Sequence, residues 1–98
     1  MVKVRWTREA VSDLEGIFDF IAKDSIQYAR WQVENLSLAA QKLESYPRLG
    51  RRLPEFPHLP HREIISGNYR IIHRYDMVSK IVHVISIVHG RRQLKRPS

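Results

Sequence analysis

The sequence predicts an α+β domain in which an antiparallel β-sheet carries an α-helical hairpin on one face. Three observations predict it. Residues 8–43 hold apolar positions at helical spacing, residues 61–88 hold three strand-like runs, and the two regions are not interleaved. Helices gathered ahead of strands argue against repeated βαβ units and for separate helical and sheet layers. At 98 residues the chain forms one domain, residues 1–98, with a core just large enough to fold alone.

Val2, Val4 and Trp6 alternate with Lys3 and Arg5, a short strand with one face inward. Thr7 offers its hydroxyl as an N-cap, and Glu9 sits near the positive end of the helix dipole. From Arg8 to Lys23, the residues Ala10, Val11, Leu14, Ile17, Phe18, Ile21 and Ala22 form a helical apolar stripe. Glu9, Asp13, Glu15 and Asp19 make the other face acidic and solvated. Asp24-Ser25 closes this helix and caps the next. Ala29, Val33, Leu36, Ala40 and Leu43 repeat at four-three-four-three spacing, the seam of an antiparallel helix pair joined by a short turn. Pro47 ends the second helix.

Pro47, Gly50, Pro54, Pro57 and Pro60 interrupt the next stretch, so an extended loop without regular structure is expected there, carrying Arg48, Arg51 and Arg52. His61 to Ser66 reads as a strand, Gly67-Asn68 as a two-residue hairpin turn, and Tyr69 to Tyr75 as its partner. Asp76 to Lys80 turns the chain into Ile81 to Val88, an apolar run rich in β-branched residues and the best candidate for the central strand. The order is β-α-α-β-β-β. Residues 93–98 are expected to fray as a basic tail.

Charge divides the chain in two. The formal net charge is +7, yet residues 1–47 carry six Lys/Arg and seven Asp/Glu, whereas residues 48–98 carry eleven Lys/Arg and three Asp/Glu. Like charges crowded on one half destabilise it unless an anionic partner offsets them, so a polyanion or an acidic protein is implied. The absence of cysteine excludes disulfides and thiol nucleophiles. Met1 to Trp6 alternates charge without an apolar h-region, and the longest apolar run is far short of a bilayer span, so a cytoplasmic protein with no membrane contact is expected.

The chemistry-bearing residues gather near the end of the last strand, at His89-Gly90-Arg91-Arg92-Gln93-Leu94-Lys95-Arg96. Arg70 opens the preceding strand, and antiparallel pairing brings it beside His89 to Arg92. Alternation puts Arg70 and Arg74 on the open face of the sheet. Guanidinium forks match phosphate and carboxylate bidentately. His89 could serve as an acid or base near neutral pH, or simply cap the strand. His83 lies within the apolar run and reads as a core histidine. His58 and His61 flank Leu59-Pro60, whose proline forbids helical ligand spacing, and no acidic or cysteine ligand accompanies them, so no metal or cofactor is implied. Glu55 and Glu63 read as counter-charges for the arginines around them.

Tyr69-Arg70-Ile71-Ile72-His73-Arg74-Tyr75, the ending Ile87-Val88-His89-Gly90-Arg91-Arg92 and the β-α-α-β-β-β order together resemble the RelE/ParE superfamily of bacterial toxins from type II toxin–antitoxin modules. The resemblance covers nearly the whole chain. It implies a growth-arresting toxin held in a hetero-oligomer by a cognate, acidic antitoxin of ParD or RelB type. That partner would wrap the helix pair and sheet by helix-in-groove and strand-addition contacts, with Leu14, Phe18, Arg51 and Arg52 among the residues it touches. In the ParE-like branch the target is DNA gyrase, and Arg70, Arg74, His89, Arg91, Arg92, Lys95 and Arg96 would contact it. In the RelE-like branch the target is mRNA on the ribosome, and Arg70, His89 and Arg91 would be catalytic. The ParE-like branch is favoured because no tyrosine follows Tyr75, and the lysine pair of the cleaving branch is replaced by Arg51 and Arg52 at best. A toxin that has lost its activity but still grips an acidic partner remains a third reading.

Overall fold

The computed structural model describes residues 1–98. Its elements are β1 (Lys3–Trp6), α1 (Arg8–Ala22), α2 (Ile26–Gln41), a 3-10 turn (Lys42–Glu44), β2 (Arg51–Arg52), β3 (Arg62–Ser66), β4 (Tyr69–Asp76) and β5 (Ile81–His89). The two helices pack on a five-stranded sheet of order β1-β5-β4-β3-β2. The expected fold class holds, with two refinements. The sheet is mixed, because β1 runs parallel to β5, with Lys3 opposite Ile81 and Trp6 opposite Val84. The proline-rich loop also contains a strand after all. Arg51 and Arg52 lie between Gly50 and Pro54, just far enough from each proline to pair with Glu63 and Arg62 at the sheet edge.

Both helices start where their caps predict. Thr7 Oγ1 accepts the Ala10 N–H at 3.1 Å, and Ser25 Oγ accepts the Tyr28 N–H at 3.1 Å. Gly67 opens the β3–β4 turn at φ +59, the position that a tight hairpin reserves for glycine. Gly50 has no alternative residue, since a Cβ there would lie 2.1 Å from the Glu63 carbonyl oxygen.

The helix-side core joins Ala10, Leu36, Ala40 and Leu43 to Ile71, Val82, Val84 and Ile87. Ile87 belongs to this face only because β5 slips. Ile72 pairs with Ser86 but His73 with Val84, so Ile85 is an extra residue that turns to the other face. The first turns of α1 satisfy the groups freed around the bulge. Thr7 Oγ1 donates to the Ile85 carbonyl at 2.7 Å, and Asp13 Oδ2 accepts the Ile87 N–H at 2.9 Å. Asp13 is therefore a structural acceptor, and not the solvated charge the helical wheel suggests. His83 likewise departs from expectation. It is half-buried at a position flanked by Arg5 and Arg74 and is not a core residue.

The face away from the helices is not open. Leu53 and Leu94 close over Ile72 and Ile85, with Phe56 and Val88 beside them. Leu94 is buried and Pro97 half-buried, so the C-terminal segment folds back over the sheet and is not a wholly frayed tail.

Candidate functional site

Arg70 sits where β4 begins, opposite Val88 on β5 and Ile65 on β3. Its neighbourhood at the end of β5 is as the sequence predicts, but its exposure is not. The residue is only 5% exposed, and its side chain lies under the proline-rich loop and the C-terminal segment. Burial of a guanidinium in that position requires anionic partners, and two are present. Glu55 grips it as a fork, with Nη1 donating to Oε2 at 2.8 Å and Nη2 to Oε1 at 2.7 Å. Glu63 Oε1 accepts from Nε at 2.8 Å and lies 2.6 Å from Nη2 as an ion pair. A longer bond of 3.3 Å runs from Nη1 to the Arg92 carbonyl.

The network continues outward. Glu63 Oε2 accepts from Arg51 Nε at 2.7 Å, and Glu55 Oε2 also accepts the Leu94 N–H at 3.1 Å. The bond from Arg70 holds the Glu55 carboxyl down at about 2, against the opposing effect of burial and with help from the Leu94 N–H. The same two carboxylates push the Arg70 guanidinium further up, Glu55 contributing most. Two arginines and two glutamates therefore neutralise one another. A shallow hollow of about 620 Å³ opens over them, lined by Arg51, Glu55, Ile65, Arg70, Gly90 and Gln93. A phosphodiester entering it would meet the Glu55 carboxylate, with Glu63 buried beneath.

The exposed cations lie past β5. Gly90 N–H donates to the Asn68 carbonyl at 2.7 Å, and Arg92 N–H donates to the His89 carbonyl at 2.9 Å, which fixes the turn out of the strand. His89, Arg91, Arg92, Lys95 and Arg96 are exposed around this turn. The His89 ring meets the edge of Tyr69 at 5.7 Å, and its Nδ1 accepts the Arg91 N–H at 3.3 Å. Those contacts suit a polar cap. Between this segment and α1 lies a cleft of about 520 Å³, with Glu9 and Asp13 on one wall and Arg92, Lys95 and Arg96 on the other. Arg74, grouped with these residues by the sequence, is set differently from Arg70, with His61 acted on by both Arg74 and Arg96. Arg74 is half-buried at the far end of β4, and its Nε is buried without a partner.

The four residues expected to meet an antitoxin divide between two places. Leu14 and Phe18 share a hollow of about 310 Å³ with Val33 between the helices. Leu14 also borders a second hollow with Val4, Trp6 and Val11. Val11 and Leu38 are exposed on the helix pair, which puts apolar side chains on its outer surface among the exposed Glu9, Glu15 and Asp19. Arg51 and Arg52 lie instead at the sheet edge, with Arg51 tied to Glu63. Sequence reasoning had no role for Leu94, although a lone leucine among cations is a readable sign of an anchored segment.

A family model described as the ParE toxin of the type II toxin–antitoxin system parDE matches residues 4–94. Toxin RelE2 of Caulobacter vibrioides is 33% identical over 92 residues, which is 94% of this chain and 99% of that protein. The chromosomal ParDE system from P. aeruginosa superposes with a TM-score of 0.73 at 20% identity, covering 91% of this chain and 96% of the other. The RelBE2 toxin–antitoxin complex from Mycobacterium tuberculosis gives a TM-score of 0.58 at 22% identity over 90% and 96% of the two chains. A mutant of E. coli toxin RelE in the free state gives 0.64 at 17% identity over 92% and 84%. These three structures share the fold.

Proposed function

The chain belongs to the ParE toxin family of type II toxin–antitoxin systems, and from that premise we propose that it arrests growth by inhibiting DNA gyrase and that an acidic cognate antitoxin neutralises it. One observation carries the choice of target. The sheet arginine that a ribonuclease would turn toward phosphate, Arg70, is sealed between Glu55 and Glu63. A guanidinium saturated by two carboxylates has little left to give a developing phosphorane charge, and its neighbours would repel the RNA backbone. His89 at the rim has no carboxylate or lysine partner with which to divide acid and base roles.

Binding needs less. Arg91, Arg92, Lys95 and Arg96 present positive charge on a segment that Leu94 anchors, so target contact does not require the segment to be ordered from a random coil. The antitoxin role falls to the apolar helix surface around Leu14 and Phe18.

The test is a gyrase supercoiling assay with the purified chain. The wild type inhibits supercoiling, and Arg91→Ala combined with Arg92→Ala weakens inhibition by about tenfold or more, as expected for two lost charge contacts. The same variant keeps its thermal midpoint and its hold on the antitoxin. An intact chain that leaves gyrase untouched but cleaves transcripts on the ribosome would overturn the proposal.

A further inference from the structure

The β2–β3 edge contains two adjacent cross-strand pairs of opposite character. Arg51 faces Glu63, whereas Arg52 faces Arg62. Side chains alternate along a strand, so the two pairs project from opposite faces of the sheet. The first is charge-matched. The second sets two guanidiniums directly across from each other, an arrangement that is destabilising by itself.

The row continues to His73, which pairs with Arg62 on β4. Around it lies a cleft of about 200 Å³ whose lining includes Pro47, Arg48, Arg52, Arg62, His73 and Tyr75 and no carboxylate. Arg48 is held over the Tyr75 ring at 5.0 Å. Arg52 Nη1 donates to the Leu59 carbonyl at 2.8 Å, and Arg62 Nη1 donates to the Gly50 carbonyl at 3.1 Å. Beyond those single bonds none of the three guanidiniums has a protein acceptor, and none is in an ion pair. His73 adds no charge at neutral pH. Its Nε2 proton goes to the Leu49 carbonyl at 2.7 Å, and burial, opposed by that bond and aided by the neighbouring Arg62, holds the ring down at about 4.

We infer that the Arg48–Arg52–Arg62 cleft is a binding site for a phosphate group. A carboxylate brings one charge and two oxygens, too little for three guanidiniums with most of their donors free. A phosphate monoester brings nearly two charges and three terminal oxygens, and guanidinium forks match its geometry. The site lies on the opposite face of the sheet from Arg70, so it stands whether or not gyrase is the target. The group can be inorganic phosphate or the terminal phosphate of a nucleotide chain, since the cleft reads only the phosphoryl oxygens.

The test follows the side-chain Nε–Hε resonances of Arg48, Arg52 and Arg62 by NMR in the full chain. It is titrated with inorganic phosphate, with chloride at matched ionic strength, with a 5′-phosphorylated dinucleotide, with the same dinucleotide lacking that phosphate, and with a glutamate-rich peptide. Phosphate and the phosphorylated dinucleotide should shift all three saturably, and the other ligands should not. Tighter binding of the phosphorylated dinucleotide identifies a nucleic-acid end as the source, and equal binding identifies the free ion.

Arg52→Glu, which makes its pair with Arg62 charge-matched, should cut phosphate affinity by about tenfold or more and raise the melting temperature at low salt. Arg62→Gln should weaken binding similarly, and Arg91→Gln with Arg92→Gln should not. Shifts no larger with phosphate than with chloride, or saturation by the peptide in place of phosphate, would contradict the inference.

Discussion

The two faces of the sheet are buried by different physics. Under the helices, Ala10, Leu36, Ala40 and Leu43 meet Ile71, Val82, Val84 and Ile87, and the stabilisation comes mainly from apolar area. Under the loop and C-terminal segment, an apolar cluster of four residues is accompanied by a charged network of Arg70, Glu55, Glu63 and Arg51. An apolar face tolerates one shortened side chain at the cost of a cavity. An ionic face loses somewhat more when one member goes, because the partner is left charged in a dry place. A sheet arginine buried between two carboxylates can thus be spent on holding a terminal segment in place.

The largest effect should come from breaking the ionic face. Arg70→Ala is expected to destabilise the chain by about 4 kcal/mol in urea unfolding, since Glu63 is fully buried beside it. Combining Arg70→Met with Glu63→Leu and Glu55→Gln should recover most of that loss. It should also leave toxicity in place if Arg70 is structural. A loss below about 1 kcal/mol for Arg70→Ala would mean that the buried pairs do not form.

The apolar face gives the next largest effect. Leu36→Ala, at the centre of the helix pair, should cost about 3 kcal/mol. Unlike the charge variants, its effect should be nearly independent of pH and salt.

Acid separates the faces in order. His73 has a folded pKa of about 4, below the ordinary 6.5, so its contribution is complete above pH 6.5 and is lost as pH falls toward 4. Glu55, at about 2 against 4.5, contributes fully above pH 4.5 and loses its share as pH falls toward 2. Each is worth up to about 3 kcal/mol, the Glu55 share being reduced by screening at its exposed rim. Glu55→Gln should therefore flatten only the lower limb of a stability–pH curve measured by denaturant titration.

The smallest effect is at the helix start. Thr7→Ala removes the α1 cap and the bond to the bulge carbonyl, for a loss of about 1–2 kcal/mol in thermal unfolding.

Much of the helix-side face was legible in the sequence because its signals are local. Thr7 and Ser25 mark helix starts, Ala29, Leu36, Ala40 and Leu43 mark the seam, and Gly67-Asn68 marks the turn. Glu55 and Glu63 were readable as counter-charges, and the network bears that out. What escaped depends on distant partners. The Ile85 bulge is set by the first turns of α1, which lie some seventy residues earlier in the chain. The burial of Arg70 depends on a leucine in the C-terminal segment and a glutamate in the loop, and no periodicity connects them. The Arg52–Arg62 opposition exists only once β2 forms, and the surrounding prolines conceal that strand.

With Arg70 serving as a structural counter-ion, the proposed contact with gyrase falls to the exposed cations. The most direct measurement is pulse-labelling of DNA and protein synthesis in the first minutes after inducing this chain without its antitoxin. DNA synthesis should fall first while translation continues, and Arg91→Ala with Arg92→Ala should abolish the fall. Translation collapsing first, with transcripts cut on the ribosome, would contradict gyrase as the target.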